Sequence, residues 1–239
     1  MHINPSINTV LFDLDGTLLP MDMDAFVKSY FTELAKKAVN FGYDSKTIEK
    51  AVWGATKSMI LNDGAAPNID VFWKAFVEIL GEKANLLKEP FDAFYLNEFH
   101  QVKSATGENP FARTLIDRLK EEGYTVVVAT NPLFPLDGNR TRLSWIGLDE
   151  ADFAYISAYE NSSYCKPNPE YYNEILRKIG KRSEECIMIG NDATEDLAAA
   201  KTGMDTYLVT DCLLNTHGLD ISNFKQGDFA SLMEFFFEG

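Results

Sequence analysis

Two aspartates, one residue apart, follow a short apolar run near the start of the chain. The stretch is VLFDLDGTLLP, residues 10–20, and its acids are Asp13 and Asp15. Side chains two residues apart on a strand point to the same face, so these two like charges repel unless something positive lies between them. The residue types allow three interpretations: a polar turn, a calcium loop, or a catalytic pair of carboxylates.

The spacing of these acids argues against a calcium loop. An EF-hand loop carries its glycine at the sixth position and lies between helices, whereas Gly16 is fourth counting from Asp13 and follows a strand-like run. A turn accounts for Asp15-Gly16, because Asp-Gly is a common turn dipeptide. It does not account for a second acid on the same face, so the catalytic pair is the favoured interpretation.

Other polar residues follow other predicted strands. Ligands of open parallel sheets bind outside the carboxyl ends of the strands, so we expect these residues to meet Asp13 and Asp15 at one edge. They are Thr130 and Asn131 after residues 124–129, Lys166 in the loop after residues 153–157, and Asp192 and Asp196 after residues 186–189.

The elements that would position these residues alternate in type from about residue 107 onwards. This alternation predicts an α/β fold with a doubly wound, mainly parallel sheet. The predicted strands cover residues 10–12, 124–129, 153–157, 186–189 and 206–209, and the predicted helices between them cover residues 110–122, 136–146, 170–179 and 193–202.

Residues 22 to about 103 have a different pattern, with four helical segments and no convincing strand. The predicted helices cover residues 24–40, 45–61 (with Ser45 as N-cap), 70–80 and 90–103. Four helices joined by short loops predict a small bundle inserted after the first strand. We therefore expect a catalytic α/β core of residues 1–20 and 105–239, and a helical cap of residues 21–104.

Composition and charge limit the classes of function. The 239 residues are 46% hydrophobic, as expected for a globular protein, and carry 22 basic against 36 acidic side chains, a net charge of −14. This balance argues against a nucleic-acid partner, and it means that an anionic substrate would need a local positive centre such as a metal ion. The wide spacing of the three cysteines suggests neither a disulfide framework nor a zinc site. No apolar run approaches the roughly 20 residues of a membrane span. We expect a cytoplasmic protein without a membrane partner; the oligomeric state stays open.

Four motifs of the chain, taken in order, resemble those of the haloacid dehalogenase (HAD) superfamily of phosphohydrolases. They are FDLDGTL at residues 12–18, Thr130, KPNPEYY from Lys166, and GNDATED at residues 190–196. One such motif would be weak evidence, but four in order on four predicted strand ends are specific. The helical insertion resembles the α-helical cap of that superfamily.

The resemblance implies a role for each residue of the predicted site. Asp13 would be the nucleophile that forms an aspartyl-phosphate, and Asp15 the general acid–base. Lys166 would neutralise the phosphoryl group and Asp13, while Thr130 and Asn131 would donate hydrogen bonds to the phosphoryl oxygens.

The acids of the last motif have a structural alternative. Asp-Ala-Thr-Glu forms a capping box if Asp192 is the N-cap and Glu195 reaches back to it. That explanation leaves Asp196 without a role. The resemblance implies a Mg²⁺ ion held by Asp13, the main-chain carbonyl of Asp15 and Asp192, with Asp196 in support. We favour capping and metal binding together, through different oxygens of Asp192.

The sequence therefore predicts a Mg²⁺-dependent phosphatase acting on a small phosphorylated metabolite. A phosphomutase and a non-catalytic phospholigand-binding module remain alternatives. A dehalogenase is less favoured, because that chemistry needs neither Asp15 as acid–base nor a metal. The substrate stays open. Trp53, Met59 and Asn62 are candidates for cap residues that set specificity, but packing in the core of the bundle explains Trp53 and Met59 equally well.

Overall fold

The computed structural model describes residues 3–238 of the chain. Residues 1, 2 and 239, which the sequence assigns to the catalytic core, lie outside the described residues. A six-stranded, wholly parallel sheet has the order β3-β2-β1-β4-β5-β6. Its strands are β1 (Thr9–Phe12), β2 (Thr125–Val128), β3 (Tyr155–Ile156), β4 (Cys186–Gly190), β5 (Asp205–Val209) and β6 (Lys225–Gly227).

The central strand β1 sets the position of the sheet edge at which the predicted site residues lie. It is buried along its whole length and pairs in parallel with both β2 and β4, so that Phe12 lies opposite Val128 and Ile189. Strands buried on both faces are rich in Val, Ile and Leu, as these three are. The register places the carboxyl ends of the three strands side by side. The predicted α/β class with a parallel sheet is confirmed.

Helices cover both the insertion and the faces of the sheet. The helices of the insertion are α1 (Met23–Ala38), α2 (Ser45–Ile60), α3 (Asn68–Leu80) and α4 (Lys88–Asn97). The helices after the insertion are α5 (Ala112–Glu121), which precedes β2, and α6 (Leu136–Trp145), α7 (Pro169–Ile179) and α8 (Phe229–Phe237), which follow it. Short 3-10 helices cover Val39–Phe41, Glu82–Leu87, Phe99–Ala105, Glu150–Asp152, Ser183–Glu185 and Asp196–Thr202. The last of these replaces the α-helix predicted over residues 193–202.

The start of α2 corrects one detail of the sequence analysis. Asp44, not Ser45, is the N-cap: its backbone is extended, and its carboxylate accepts from the backbone N–H of Thr47 at 2.9 Å. Ser45 is already the first helical residue. The carboxylate of an aspartate in the preceding position accepts from a free N–H group of the first turn, so the helix begins at Ser45, one residue earlier than a Ser45 cap implies.

The helices of the insertion surround an aromatic core of their own. Phe26 and Leu34 of α1 pack there with Phe76 of α3 and Phe94 of α4, and all four are buried. Phe134, in the loop before α6, packs against the same core. The insertion therefore rests on the α/β part of the molecule through apolar contacts.

The two ends of the insertion lie next to each other. The backbone N–H of Gly107 donates to the carbonyl of Pro20 at 2.7 Å, and that of Asp22 donates to Ala105 at 3.2 Å. The division into a core and a cap remains a prediction, but this paired neck shows where the chain leaves and rejoins the sheet. Within residues 3–238, no helix combines the length and apolar character needed to cross a bilayer.

Candidate active site

The ends of the central strands bring three predicted site residues into direct contact. Asp13 follows β1 directly, and its backbone N–H donates to the carbonyl of Ile189 in β4 at 2.8 Å. The Lys166 ammonium lies 2.8 Å from Asp13 Oδ1 and 2.6 Å from Asp196 Oδ1. All three residues are buried. Lys166 is therefore the positive charge that two neighbouring carboxylates require.

The electrostatics of this cluster keep the lysine charged. Burial by itself opposes the ammonium form, but Asp13 and Asp196 outweigh it and raise the pKa of Lys166 well above its usual value. Burial, together with the charge of Asp13, raises the pKa of Asp196 to about 7, against the opposing effect of Lys166. The cluster thus holds a permanent cation beside Asp13.

Two further residues fix the other side of Asp13. The Thr17 hydroxyl lies 3.3 Å from Asp13 Oδ2 and 3.0 Å from Asn191 Oδ1. Gly16 makes this approach possible: its φ is +86°, and a Cβ at this position would overlap the Asn191 amide. The sequence analysis assigned no role to Thr17 or Asn191, although both lie inside the motifs that it identified.

Asp15 pairs with an arginine that the sequence analysis missed. Its Oδ2 accepts from Arg142 of α6, and its Oδ1 is buried without a hydrogen-bond partner among the described residues. Burial raises the pKa of Asp15, and Arg142 opposes that rise. A carboxyl group with a raised pKa and one free oxygen can give and take a proton.

Arg142 is held rigidly. It is fully buried, its guanidinium lies 4.3 Å from the centre of the Phe134 ring, and it also donates to Asn139 Oδ1. Asn139 in turn donates to the carbonyl of Ser157 at 2.7 Å. Arg140, two residues earlier, is exposed in surface ion pairs and carries the same charge.

The motif at residues 190–196 both caps the following turn and contributes carboxylates to the site, but it does not form the predicted capping box. Asp192 Oδ1 accepts from the backbone N–H groups of Thr194 at 2.7 Å and Glu195 at 2.9 Å. The carboxylate that reaches back to the Asp192 N–H belongs to Asp196, at 2.9 Å. The prediction that Glu195 reaches back is wrong, because a turn and a 3-10 helix replace the α-helical geometry of a capping box.

Glu195 instead faces the site. Its Oε1 accepts from the side-chain amide of Asn131 at 2.9 Å, and burial raises its pKa to about 8. Asn131 Oδ1 accepts from the backbone N–H of Lys166 at 3.3 Å. Asn131, which follows β2, therefore connects to the segments that follow β3 and β4. Its side-chain N–H donor is used by Glu195. Thr130 is buried at the end of β2, where its carbonyl accepts from the Tyr171 hydroxyl at 2.7 Å.

A cavity of about 260 Å³ lies between this edge of the sheet and the inserted helices. Six of the seven predicted site residues line it: Asp13, Asp15, Thr130, Asn131, Asp192 and Asp196. Of the proposed specificity residues, Trp53 lines the cavity. Met59 is instead buried in the core of the helices, and Asn62 donates to Asn68 Oδ1 at 2.8 Å.

The donor set fits a Mg²⁺ ion. Asp192 uses only Oδ1 in hydrogen bonds with the described residues, so Oδ2 is available on a group that lines the same cavity as Asp13. No cluster of three or more His, Cys, Asp or Glu side chains suited to a metal occurs in residues 3–238. Two carboxylates, those of Asp13 and Asp192, are within the number through which Mg²⁺ is commonly bound, since this ion keeps several waters.

Comparison with known proteins agrees with this geometry. The family profile of haloacid dehalogenase-like hydrolases matches residues 7–203. A glyceraldehyde 3-phosphate phosphatase of Methanothermobacter thermautotrophicus is 28% identical over 231 residues, covering 90% of this chain and 94% of the relative. A phosphoglycolate phosphatase of Vibrio cholerae is 24% identical over 233 residues, covering 96% of each chain. The crystal structure of a 2-haloacid dehalogenase from Pseudomonas syringae superposes with a TM-score of 0.63 at 19% identity, covering 96% of this chain and 97% of the other; that similarity concerns the fold alone.

Proposed function

Because the chain belongs to the haloacid dehalogenase-like hydrolase family, whose members similar to it include phosphatases, we propose that it is a Mg²⁺-dependent phosphatase of a small phosphorylated metabolite that works through an aspartyl-phosphate on Asp13. One observation carries the proposal. The Asp13 carboxylate is fixed between Lys166 and Thr17, and two residues further on Asp15 presents a buried oxygen that has no hydrogen-bond partner within residues 3–238.

These residues divide the reaction into two steps. Asp13 attacks phosphorus, the bond from phosphorus to the ester oxygen breaks, and protonated Asp15 gives its proton to the departing alcohol. Asp15, now ionised, then takes a proton from a water that attacks the phosphorus of the aspartyl-phosphate. The bond from phosphorus to the Asp13 oxygen breaks, inorganic phosphate leaves, and both aspartates return to their starting states.

Neighbouring groups supply the positive field that a phosphoryl group needs. Lys166 offsets the charge of Asp13 and so lowers the repulsion between that carboxylate and an incoming phosphoryl group. Mg²⁺ would be held by Asp13, the main-chain carbonyl of Asp15 and Asp192, and would add positive charge beside those oxygens. Asp196 and Asn131 hold Lys166 in place.

The test is phosphate release from p-nitrophenyl phosphate with Mg²⁺ and with excess EDTA. Asp13→Asn should abolish release and retain the fold, because the amide is nearly isosteric but a poor nucleophile. Asp24→Asn, an exposed aspartate of α1, is the matched control and should behave as the unmodified chain.

The covalent step has its own measurement. Acid-quenched enzyme should gain the mass of one phosphoryl group, the gain should disappear with hydroxylamine, and it should be absent from Asp13→Asn. Release of phosphate and nitrophenol in equal amounts distinguishes a hydrolase from a mutase. Phosphate release by Asp13→Asn at the original rate would contradict the assignment.

A further inference from the structure

The cavity that contains the proposed catalytic aspartates has two chemically different halves. At the edge of the sheet, its charged side chains are five acids. The half formed by the inserted helices and the loop before α6 is apolar, and ten of the 25 lining side chains of the whole cavity are aromatic. No Lys, Arg or His is among the side chains that line the cavity in the described part of the chain.

This lining is unsuited to an anionic leaving group. A carboxylate or second phosphate on the substrate would be buried against aromatic rings without a cationic partner, and it would face a site that already holds five acids. The Lys166 ammonium is beside Asp13, at 2.8 Å from its Oδ1, and not in the apolar half of the cavity.

A leaving group rich in hydroxyls is less well suited than an apolar one. Each buried hydroxyl needs a hydrogen-bond partner, and among the described residues the helical half offers only the hydroxyls and indole N–H groups of Tyr30, Thr56, Tyr95, Tyr159, Trp53 and Trp73. The Tyr30 and Tyr95 hydroxyls already bond to each other at 2.7 Å. A substrate hydroxyl that bonded to one of these tyrosines would break their mutual hydrogen bond. The other tyrosine hydroxyl would then lose its partner unless the substrate also bonded to it.

The same lining suits an aromatic ring. Trp73 meets Phe72 edge-on, with an angle of 87° between the rings, and Phe72 meets Tyr159 at 63°. Such a wall offers both ring faces and ring edges to a further ring. An apolar cavity of about 150 Å³ is known to hold benzene, so about 260 Å³ leaves room for one ring and a short linker to the phosphate.

We propose that the substrate is a phosphate monoester of an uncharged alcohol that carries an aromatic ring, with the ring bound between the inserted helices and Phe134. This proposal rests on the phosphatase function proposed above and adds to it the chemical class of the leaving group. The proposal excludes phosphoglycolate as the preferred substrate, because the leaving group of phosphoglycolate carries a carboxylate.

The test compares 2-phenylethyl phosphate with glycerol 3-phosphate and phosphoglycolate on the full chain with Mg²⁺. All three release an alkyl alcohol, so their rates differ through binding more than through leaving-group reactivity. We expect kcat/KM for 2-phenylethyl phosphate to exceed both others by at least about tenfold, the discrimination a hydrophobic pocket provides.

Equal or lower kcat/KM for 2-phenylethyl phosphate, in an enzyme that hydrolyses the other two, would overturn this inference and leave the proposed function standing. No release from any of the three or from p-nitrophenyl phosphate would overturn the proposed function, and this inference with it.

A variant at the rim of the cavity adds a second measurement. Trp53 lines the cavity and is half-exposed, so Trp53→Ala should remain folded. It should raise KM for 2-phenylethyl phosphate about 2–10-fold, the size of one aromatic contact, and leave glycerol 3-phosphate hydrolysis unchanged. Leu96→Ala, an exposed residue of α4 outside the cavity, is the control. The same loss with both substrates would assign Trp53 a structural role and count against the proposal.

Discussion

Asp15 and Arg142 form the ion pair on which proton transfer depends in the proposed mechanism. The first step needs protonated Asp15, whose pKa is raised by burial and held down by Arg142. The guanidinium is fully buried, so its charge is poorly screened by solvent. Arg142 is thus expected to set the pH at which Asp15 can act, without touching the substrate.

Replacing Arg142 should therefore shift the pH–rate profile. Arg142→Met removes the group that lowers the pKa of Asp15, so that pKa should rise further and the alkaline limb of kcat should move to higher pH. Arg140→Met, which removes an exposed arginine of the same helix, should leave the limb in place. A profile unchanged by Arg142→Met would show that Asp15 is not the acid observed.

Lys166 is expected to stabilise the fold in addition to its role in the proposed reaction. Without its ammonium, Asp13 and Asp196 would be two buried carboxylates with no cation between them. Removing one partner of a buried ion pair costs about 3–5 kcal/mol. Lys166→Met should lower the free energy of unfolding by about this amount in urea titrations without Mg²⁺.

Two further variants make this result specific. Lys201→Met, at an exposed lysine, should leave the free energy of unfolding almost unchanged. Adding Asp196→Asn to Lys166→Met should recover part of the loss, because one of the two unpaired charges is gone. A double variant less stable than Lys166→Met alone would argue against charge imbalance as the cause.

The sequence allowed some of these residues to be recognised and not others. Asp13, Asp15 and Lys166 stand next to predicted strands in motifs with fixed spacing, and the structure brings them to one edge. Arg142 could not be found in this way. It lies in a helix that is polar on all sides, where neither periodicity nor spacing distinguishes it from Arg140, and only the packing of α6 against the site buries it.

At the level of elements, the helix ends were predictable where glycine imposes them. The chain adopts left-handed backbone at Gly42, Gly180 and Gly203, where helical segments end as predicted. The strand β6 and the helix α8 were not predicted. β6 is a short, polar edge strand with no alternation, and most of α8 is a run of apolar residues without a clear helical period.

The start of α2 offers a matched pair of substitutions. Asp44→Ala removes the carboxylate that accepts from the Thr47 N–H and should lower the free energy of unfolding by about 1 kcal/mol. Ser45→Ala should have little effect, because Ser45 is inside the helix and alanine is the better helix former. Chemical denaturation of both variants checks the assignment. A larger loss from Ser45→Ala would restore Ser45 as the cap.

Over the whole molecule, the parallel sheet was predictable because buried strands alternate with helices along the chain. The cavity was not predictable from the sequence, since it depends on how the core of the inserted helices packs against the α/β part. Phe134 and Tyr159 belong by sequence to the α/β part but pack with the core of the inserted helices. No periodicity within either segment indicates that contact.

Deleting the insertion should separate specificity from chemistry. A short Gly-Ser linker can join Pro20 to Ala105, because the chain already hydrogen-bonds across this neck at 2.7 Å between Pro20 and Gly107. Every proposed catalytic group lies outside residues 21–104. The remaining core should therefore hydrolyse p-nitrophenyl phosphate slowly, whereas the preference for 2-phenylethyl phosphate over glycerol 3-phosphate should disappear with the aromatic half of the cavity.

Removal of the helices would expose Phe134, Trp145 and Tyr159, which pack against them, so the core could associate through this surface. Circular dichroism and gel filtration must first show a folded monomeric core. The same core carrying Asp13→Asn is the control, and it should release no phosphate. If the folded core lost all activity on p-nitrophenyl phosphate, a catalytic group would have to lie between residues 21 and 104, and the division into a catalytic core and a specificity cap would be wrong.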